Sequence, residues 1–346
     1  MSLKTSQNAT KAPSDFFAAI DTSDVLDTYR AMRRRSIIMR IVTVILFIAG
    51  ICVTCFPIVL QWQSNNRLSQ ISTTVAQHVA GWPYPNAENA FKEAQKYNAK
   101  LATTNQPILG ESQDPFASSQ GGTKARGEDS AAANDAKYQS LLDSGNGVMG
   151  TILIPKISVE LPIYHGTSEE ALASGAGHLY GTSLPVGGSS THAVITGHRG
   201  LVSALMFTRL DEMRKGDFFY IEVMNEKLGY EVDSISVIEP DDDSKLRIRA
   251  GEDRVTLMTC TPYGINTQRL LVSGHRVEIP EPAPDPSDLH DARNIAVAVT
   301  AVMLVGGWLF VSLARRIGGP PRLMLQHAAA WPRNFPHDIM KTNGKH

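Results

Sequence analysis

The sequence predicts a mainly β domain, an antiparallel sheet that is closed or sandwiched, held between two membrane-spanning helices. Three observations lead there. Short β-type runs recur between turn signals from about residue 149 to 279. Two stretches, Ile41–Leu60 and Ile295–Ala314, contain no charged residue. Basic residues border both stretches on the sides facing the chain termini.

The first apolar stretch reads IVTVILFIAGICVTCFPIVL. At about 1.5 Å per residue, ~20 apolar residues cross the ~30 Å hydrocarbon layer. Some forty mostly polar residues precede it, so the expectation is an uncleaved anchor and not a secretory signal. The second stretch, IAVAVTAVMLVGGWLFVSLA, is less hydrophobic because of Gly306, Gly307 and several alanines. Arg33, Arg34, Arg35 and Arg40 precede the first stretch, and Arg315, Arg316 and Arg322 follow the second. The positive-inside rule then gives a two-pass plasma-membrane protein, with residues 1–40 and 315–346 cytoplasmic and 61–294 outside. Residues 1–40 hold seven basic and four acidic side chains and 315–346 hold six and one, so the part between carries −9 of a whole-chain net charge of −1. A balanced, 42% hydrophobic chain is no disordered polyelectrolyte, and its charge gives no case for nucleic-acid binding.

Between the anchors, residues 62–102 carry apolar positions at helical spacing (Leu68, Ile71, Val75, Val79), interrupted at Trp82-Pro83-Tyr84-Pro85. Residues 103–134 have loop composition, and a short helix over Ala136–Leu142 leads to Gly145 and Gly147. The β-type runs are Gly150–Ile154, Val159–Tyr164, Thr191–Ile195, Phe218–Val223, Gly229–Ile238, Arg254–Cys260 and Arg269–Ile279. They place a β domain over 145–280, preceded by a helical region over 61–144. The proline-rich segment 281–294 cannot extend a sheet and reads as a stiff linker.

Cys52 and Cys55 lie in the first apolar stretch, which leaves Cys260 as the one cysteine outside the bilayer. It ends the run Val255–Cys260, just before Thr261-Pro262-Tyr263-Gly264, and the chain resumes as Arg269-Leu270-Leu271-Val272. If these two strands form a hairpin, Cys260 and Arg269 meet at its mouth. A guanidinium beside a thiol favours the thiolate and offers fixed donors to a developing oxyanion. His198 ends another strand beside Gly197 and Gly200, where an imidazole can face a cleft and move protons. The residues alone leave a second reading open, in which Cys260 is a small core hydrophobe and the domain is a non-catalytic tethered module. His165, His178, His192 and His275 read as structural, and Arg199 and Arg276 as solvated or paired. The Gln-Ala-Cys-x-Gly signature of caspases is absent, and papain-like enzymes place Cys before His.

Five segments in order resemble the sortases, and within them the class C, pilin-polymerising group. These are Ile154-Pro155-Lys156-Ile157, Leu161–Thr167, Thr196-Gly197-His198-Arg199-Gly200-Leu201, Leu210-Asp211 and Thr256–Thr267. The resemblance implies an eight-stranded closed β barrel, with Cys260 as nucleophile, His198 as general acid/base and Arg269 as the orienting cation. It implies cleavage of an LPxTG-like sorting signal after its threonine, a thioacyl enzyme, and resolution by a pilin lysine. Pilin subunits and the lipid bilayer are the implied partners, and no cofactor or metal is expected. A housekeeping role, anchoring surface proteins to peptidoglycan, is the alternative within the same chemistry. Asp114-Pro115-Phe116 resembles the class C lid, which implies that Asp114 pairs with Arg269 while Phe116 covers Cys260. Gln268 stands where a histidine is common, and the lid aromatic is Phe where Trp is also found.

Overall fold

The computed structural model describes residues 23–83, 85–104, 106, 116, 131–201, 204–279, 300–309 and 311–312. Helix α1, Ser23–Ala80, runs unbroken through the first apolar stretch, with Pro57 inside it. Among the described residues it is the one helix long and apolar enough to cross a membrane. Its far end turns amphipathic and packs on the barrel: Leu68 and Val79 are buried, and Ser69 Oγ donates to Glu160 Oε2 at 2.7 Å. Helix α2, Asn86–Thr103, follows the expected break. It is pinned through the buried Asn98, whose amide donates to the Leu184 carbonyl (2.9 Å) and accepts from the Leu184 N–H (2.7 Å). Short helices α3 (Ala131–Asn134) and α4 (Ala136–Ser140) lead into the sheet, with Asp135 capping α4.

Eight strands follow: β1 Val148–Ile154, β2 Val159–His165, β3 Ala176–His178, β4 Thr191–Thr196, β5 Phe218–Val223, β6 Glu226–Ile238, β7 Asp253–Thr261 and β8 Gln268–Val277. A six-residue helix α5, Glu169–Ser174, joins β2 to β3. The strands close into a barrel in the order β1-β2-β3-β4-β7-β8-β6-β5, which leaves no unpaired edge. Two pairings correct the all-antiparallel expectation: β2 with β3 and β4 with β7 are parallel. Parallel neighbours need a crossover; α5 makes the first, and the β5–β6 hairpin lies within the second. β1 is buried along its whole length because α1 covers its outer side while its inner side faces the core.

The core is lined by Ile152, Ile163, Ile195, Phe219, Ile221, Leu257 and Val272, all fully buried. Two buried histidines within it are held by hydrogen bonds at both ring nitrogens. The Tyr138 hydroxyl accepts from the Gly166 N–H (3.0 Å) and faces His178 Nδ1 (2.8 Å), while His178 Nε2 meets the Ser183 carbonyl at 2.8 Å. A carbonyl only accepts, so Nε2 carries the proton and Nδ1 accepts from tyrosine. His192 is held alike between the Arg247 carbonyl (3.0 Å) and Thr256 Oγ1 (2.7 Å). Burial pushes both imidazoles down from 6.5 to about 4.

Residues from His290 onward form a separate unit. In it Thr300–Leu309 is an apolar helix, and the remainder of the second apolar stretch apart from residues 311–312 lies outside the described residues. So do the linker 281–294 and the tail 315–346.

Candidate active site

Three adjacent strands bring the predicted site residues to one end of the barrel. In the antiparallel β7–β8 hairpin Cys260 is the cross-strand partner of Arg269. Cross-strand partners project to the same face, so sulfur and guanidinium leave the sheet together. On the other side of β7, parallel β4 ends with Thr196 level with Met258. Continuing that register by two residues brings His198 level with Cys260. The backbone bears this out: the Gly197 N–H donates to the Met258 carbonyl (3.1 Å), and Thr259 Oγ1 donates to the Gly197 carbonyl (2.7 Å). Gly197 is required by the close approach of Phe207, whose ring would stand 2.8 Å from a Cβ placed there.

All three side chains are buried, with relative exposures of 3% for Cys260, 7% for His198 and 1% for Arg269. A buried cation is costly without partners. Arg269 Nη1 donates to the carbonyls of Asn266 (2.9 Å) and Gln268 (2.8 Å), so the β7–β8 loop curls around the guanidinium. Phe116 roofs the site. Its ring lies 5.7 Å from the His198 ring and 5.3 Å from the Arg269 guanidinium carbon, and it shares a buried cluster with Cys260. Of the expected lid, Phe116 is thus placed over all three residues, while Asp114 and Pro115 lie outside the described residues. Beneath that roof a thiol, an imidazole and a cation can carry nucleophilic acyl chemistry away from bulk water.

Two neighbours were not legible as site residues. Arg199, taken from sequence as solvated or paired, is 6% exposed at its side chain and reaches three segments. It donates to Thr261 Oγ1 (3.2 Å) and the Cys260 carbonyl (3.4 Å), and it pairs with Asp211 Oδ2 at 2.5 Å. Tyr263 lies over the same guanidinium at 5.8 Å, and Gly200, at φ +83, turns the chain beneath that ring. Glu169 on α5 puts Oε1 3.8 Å from His198 Nε2. Only the position of Arg199 beside His198 in sequence hinted at the first, and nothing in the sequence hinted at the second.

A sortase-domain family model matches residues 152–277. Sortase D of Bacillus subtilis is 30% identical over 149 residues, covering 42% of this chain and 71% of that protein. The chain belongs to the sortase family. Sortase A of Bacillus anthracis is 31% identical over 130 residues, 38% of this chain and 60% of its own length. Among solved structures, sortase C1 of GBS pilus island 1 superposes with a TM-score of 0.53 at 40% identity, covering 62% of this chain and 94% of that one. Streptococcus pneumoniae sortase C, in a study of catalysis and pilin substrate specificity, gives 0.51 at 40% identity, covering 60% and 97%. The chain is a cysteine transpeptidase of the sortase fold, and its structural neighbours are class C sortases.

Proposed function

We propose that this sortase polymerises pilins, with Cys260 as nucleophile, His198 as proton carrier and Arg269 as the cation that orients substrate and holds developing negative charge. The observation that carries this reading is the placement of Arg269 opposite Cys260 and of His198 level with it, all under the Phe116 ring. An ordinary thiol is only a few per cent ionised near neutral pH, so the adjacent cation and imidazole are what make this sulfur a nucleophile. The thiolate attacks the threonine carbonyl of an LPxTG-like sorting signal, and the guanidinium stabilises the tetrahedral oxyanion. The imidazolium protonates the leaving amine. A thioester remains on Cys260, sheltered from water until a lysine amine of the next pilin resolves it.

The lid reading belongs here too: Phe116 occupies the cleft in the resting enzyme, with Asp114 expected beside Arg269. In the same proposal α1 is the membrane anchor and residues 295–314 a second span, which puts the barrel outside and both termini in the cytoplasm. The charge-free sequences and the flanking arginines support this topology. Incubating the purified enzyme with a pilin that carries a sorting signal should give a ladder of covalent multimers, absent with Cys260→Ala. Wall-linked monomers alone, formed in cells, would instead support peptidoglycan anchoring.

A further inference from the structure

Glu169 joins the buried imidazole to bulk water. It opens α5, behind Ser168, whose side chain caps the helix by accepting from the Ala171 N–H at 3.2 Å. Its carboxylate lies 3.8 Å from His198 Nε2, yet its side chain is 63% exposed where that of His198 is 8%. We propose that Glu169 is the docking point for the acceptor ammonium, and so selects a charged amine as the nucleophile that resolves the thioester. This rests on the site roles and lysine acceptor proposed above and adds the determinant of that second substrate.

The chemistry asks for such a group. A lysine amine, with an ordinary pKa of about 10.4, arrives protonated, but only the free amine attacks. It must be gathered as a cation and deprotonated where it reacts. Oε1 and Nε2, 3.8 Å apart, allow one ammonium nitrogen to lie about 2.8 Å from both. The ammonium then gives one proton to the His198 imidazole, which lost its own to the first leaving amine. The nitrogen lone pair forms the C–N bond at the thioester carbonyl, and the C–S bond breaks with its electron pair going to Cys260. The second proton passes from the new amide nitrogen to water, leaving the thiolate–imidazolium pair for the next cycle. At so exposed a side chain, Coulomb attraction makes such a carboxylate worth about threefold in acceptor binding.

The test compares two nucleophiles on the full chain in detergent, with a fixed sorting peptide as donor: a lysine-containing acceptor peptide, and hydroxylamine, which is uncharged near neutral pH. Glu169→Gln should raise KM for the lysine acceptor about threefold with little change in kcat, and leave the hydroxylamine reaction unchanged. Glu170→Gln, with the same loss of charge one residue along, should change neither. Equal losses with both nucleophiles would mean that Glu169 acts through His198, and equal losses at Glu170 would mean a diffuse field; either overturns the proposal, as does no loss at all. A wild-type enzyme that makes no product with either nucleophile would instead overturn the roles proposed for Cys260, His198 and Arg269.

Discussion

Arg269 is the residue whose chemistry is least replaceable. Among the described residues it is the largest fully buried side chain; its guanidinium is clasped by the Asn266 and Gln268 carbonyls, and it backs onto the ring of Phe116. A lysine there keeps the charge but loses the planar fork. Arg269→Lys should therefore lower kcat about 100-fold with KM for the sorting peptide little changed, in line with the loss of an oxyanion donor. The measurement is steady-state cleavage of a fluorogenic peptide. Cys260→Ala should abolish turnover while leaving the urea midpoint near wild type, because it removes one buried sulfur and costs about 1 kcal/mol. Two histidines outside the site contribute to the response to acid. His178 and His192 ordinarily titrate near 6.5 and are pushed by burial to about 4. Between those values the unfolded chain binds protons that the folded barrel does not. Stability is therefore complete above about pH 6.5 and lost as pH falls towards 4, by roughly 3 kcal/mol per histidine. Urea unfolding across that range should show the loss, and His192→Gln should roughly halve it; a midpoint independent of pH would contradict the buried neutral networks.

Elements place these residues, and here the limits of sequence reading are plain. Seven of the eight strands show in the sequence because each is long enough for β-type residues to recur between turns. β3 does not, since Ala176-Gly177-His178 is too short to carry a period. The Cys260–Arg269 pair was legible because a hairpin is a local structure. The neighbourhood of His198 and Cys260 was legible only through family resemblance, since it depends on parallel pairing of strands about sixty residues apart, which no spacing encodes. Phe116 is a harder case: a single aromatic in a loop-like stretch finds its place only once the barrel exists. Arg199 acts at this scale as well, tying the end of β4 to the end of β7 and to the turn at Leu210–Glu212. Arg199→Met should reduce kcat roughly tenfold by letting Cys260 drift from His198, a cost expected from modest misplacement of reacting groups. KM should hold, and Asp211→Asn should give a smaller loss because Asp211 is half exposed. The roof predicts the opposite sign: Phe116→Ala should speed thiol alkylation of Cys260 and cleavage of short peptides, and unchanged rates would mean that the ring is no barrier.

At the scale of the whole molecule, the helical approach packs directly on the barrel. The helix that carries the first apolar stretch does not end with it; it continues until its own side chains pack against the barrel. Leu60 ends the apolar stretch, and Leu68 is buried on the domain eight residues later. At about 1.5 Å per residue that is a rise of only ~12 Å. If residues 41–60 lie in lipid, as proposed, the enzyme stands on a short strut instead of swinging on a leash, and its height above the headgroups is set by the rise of the helix. Proteins whose peptides it processes would then have to deliver them at that altitude, and a helix-breaking insertion between Leu60 and Leu68 would trade this fixed elevation for a wide but dilute search.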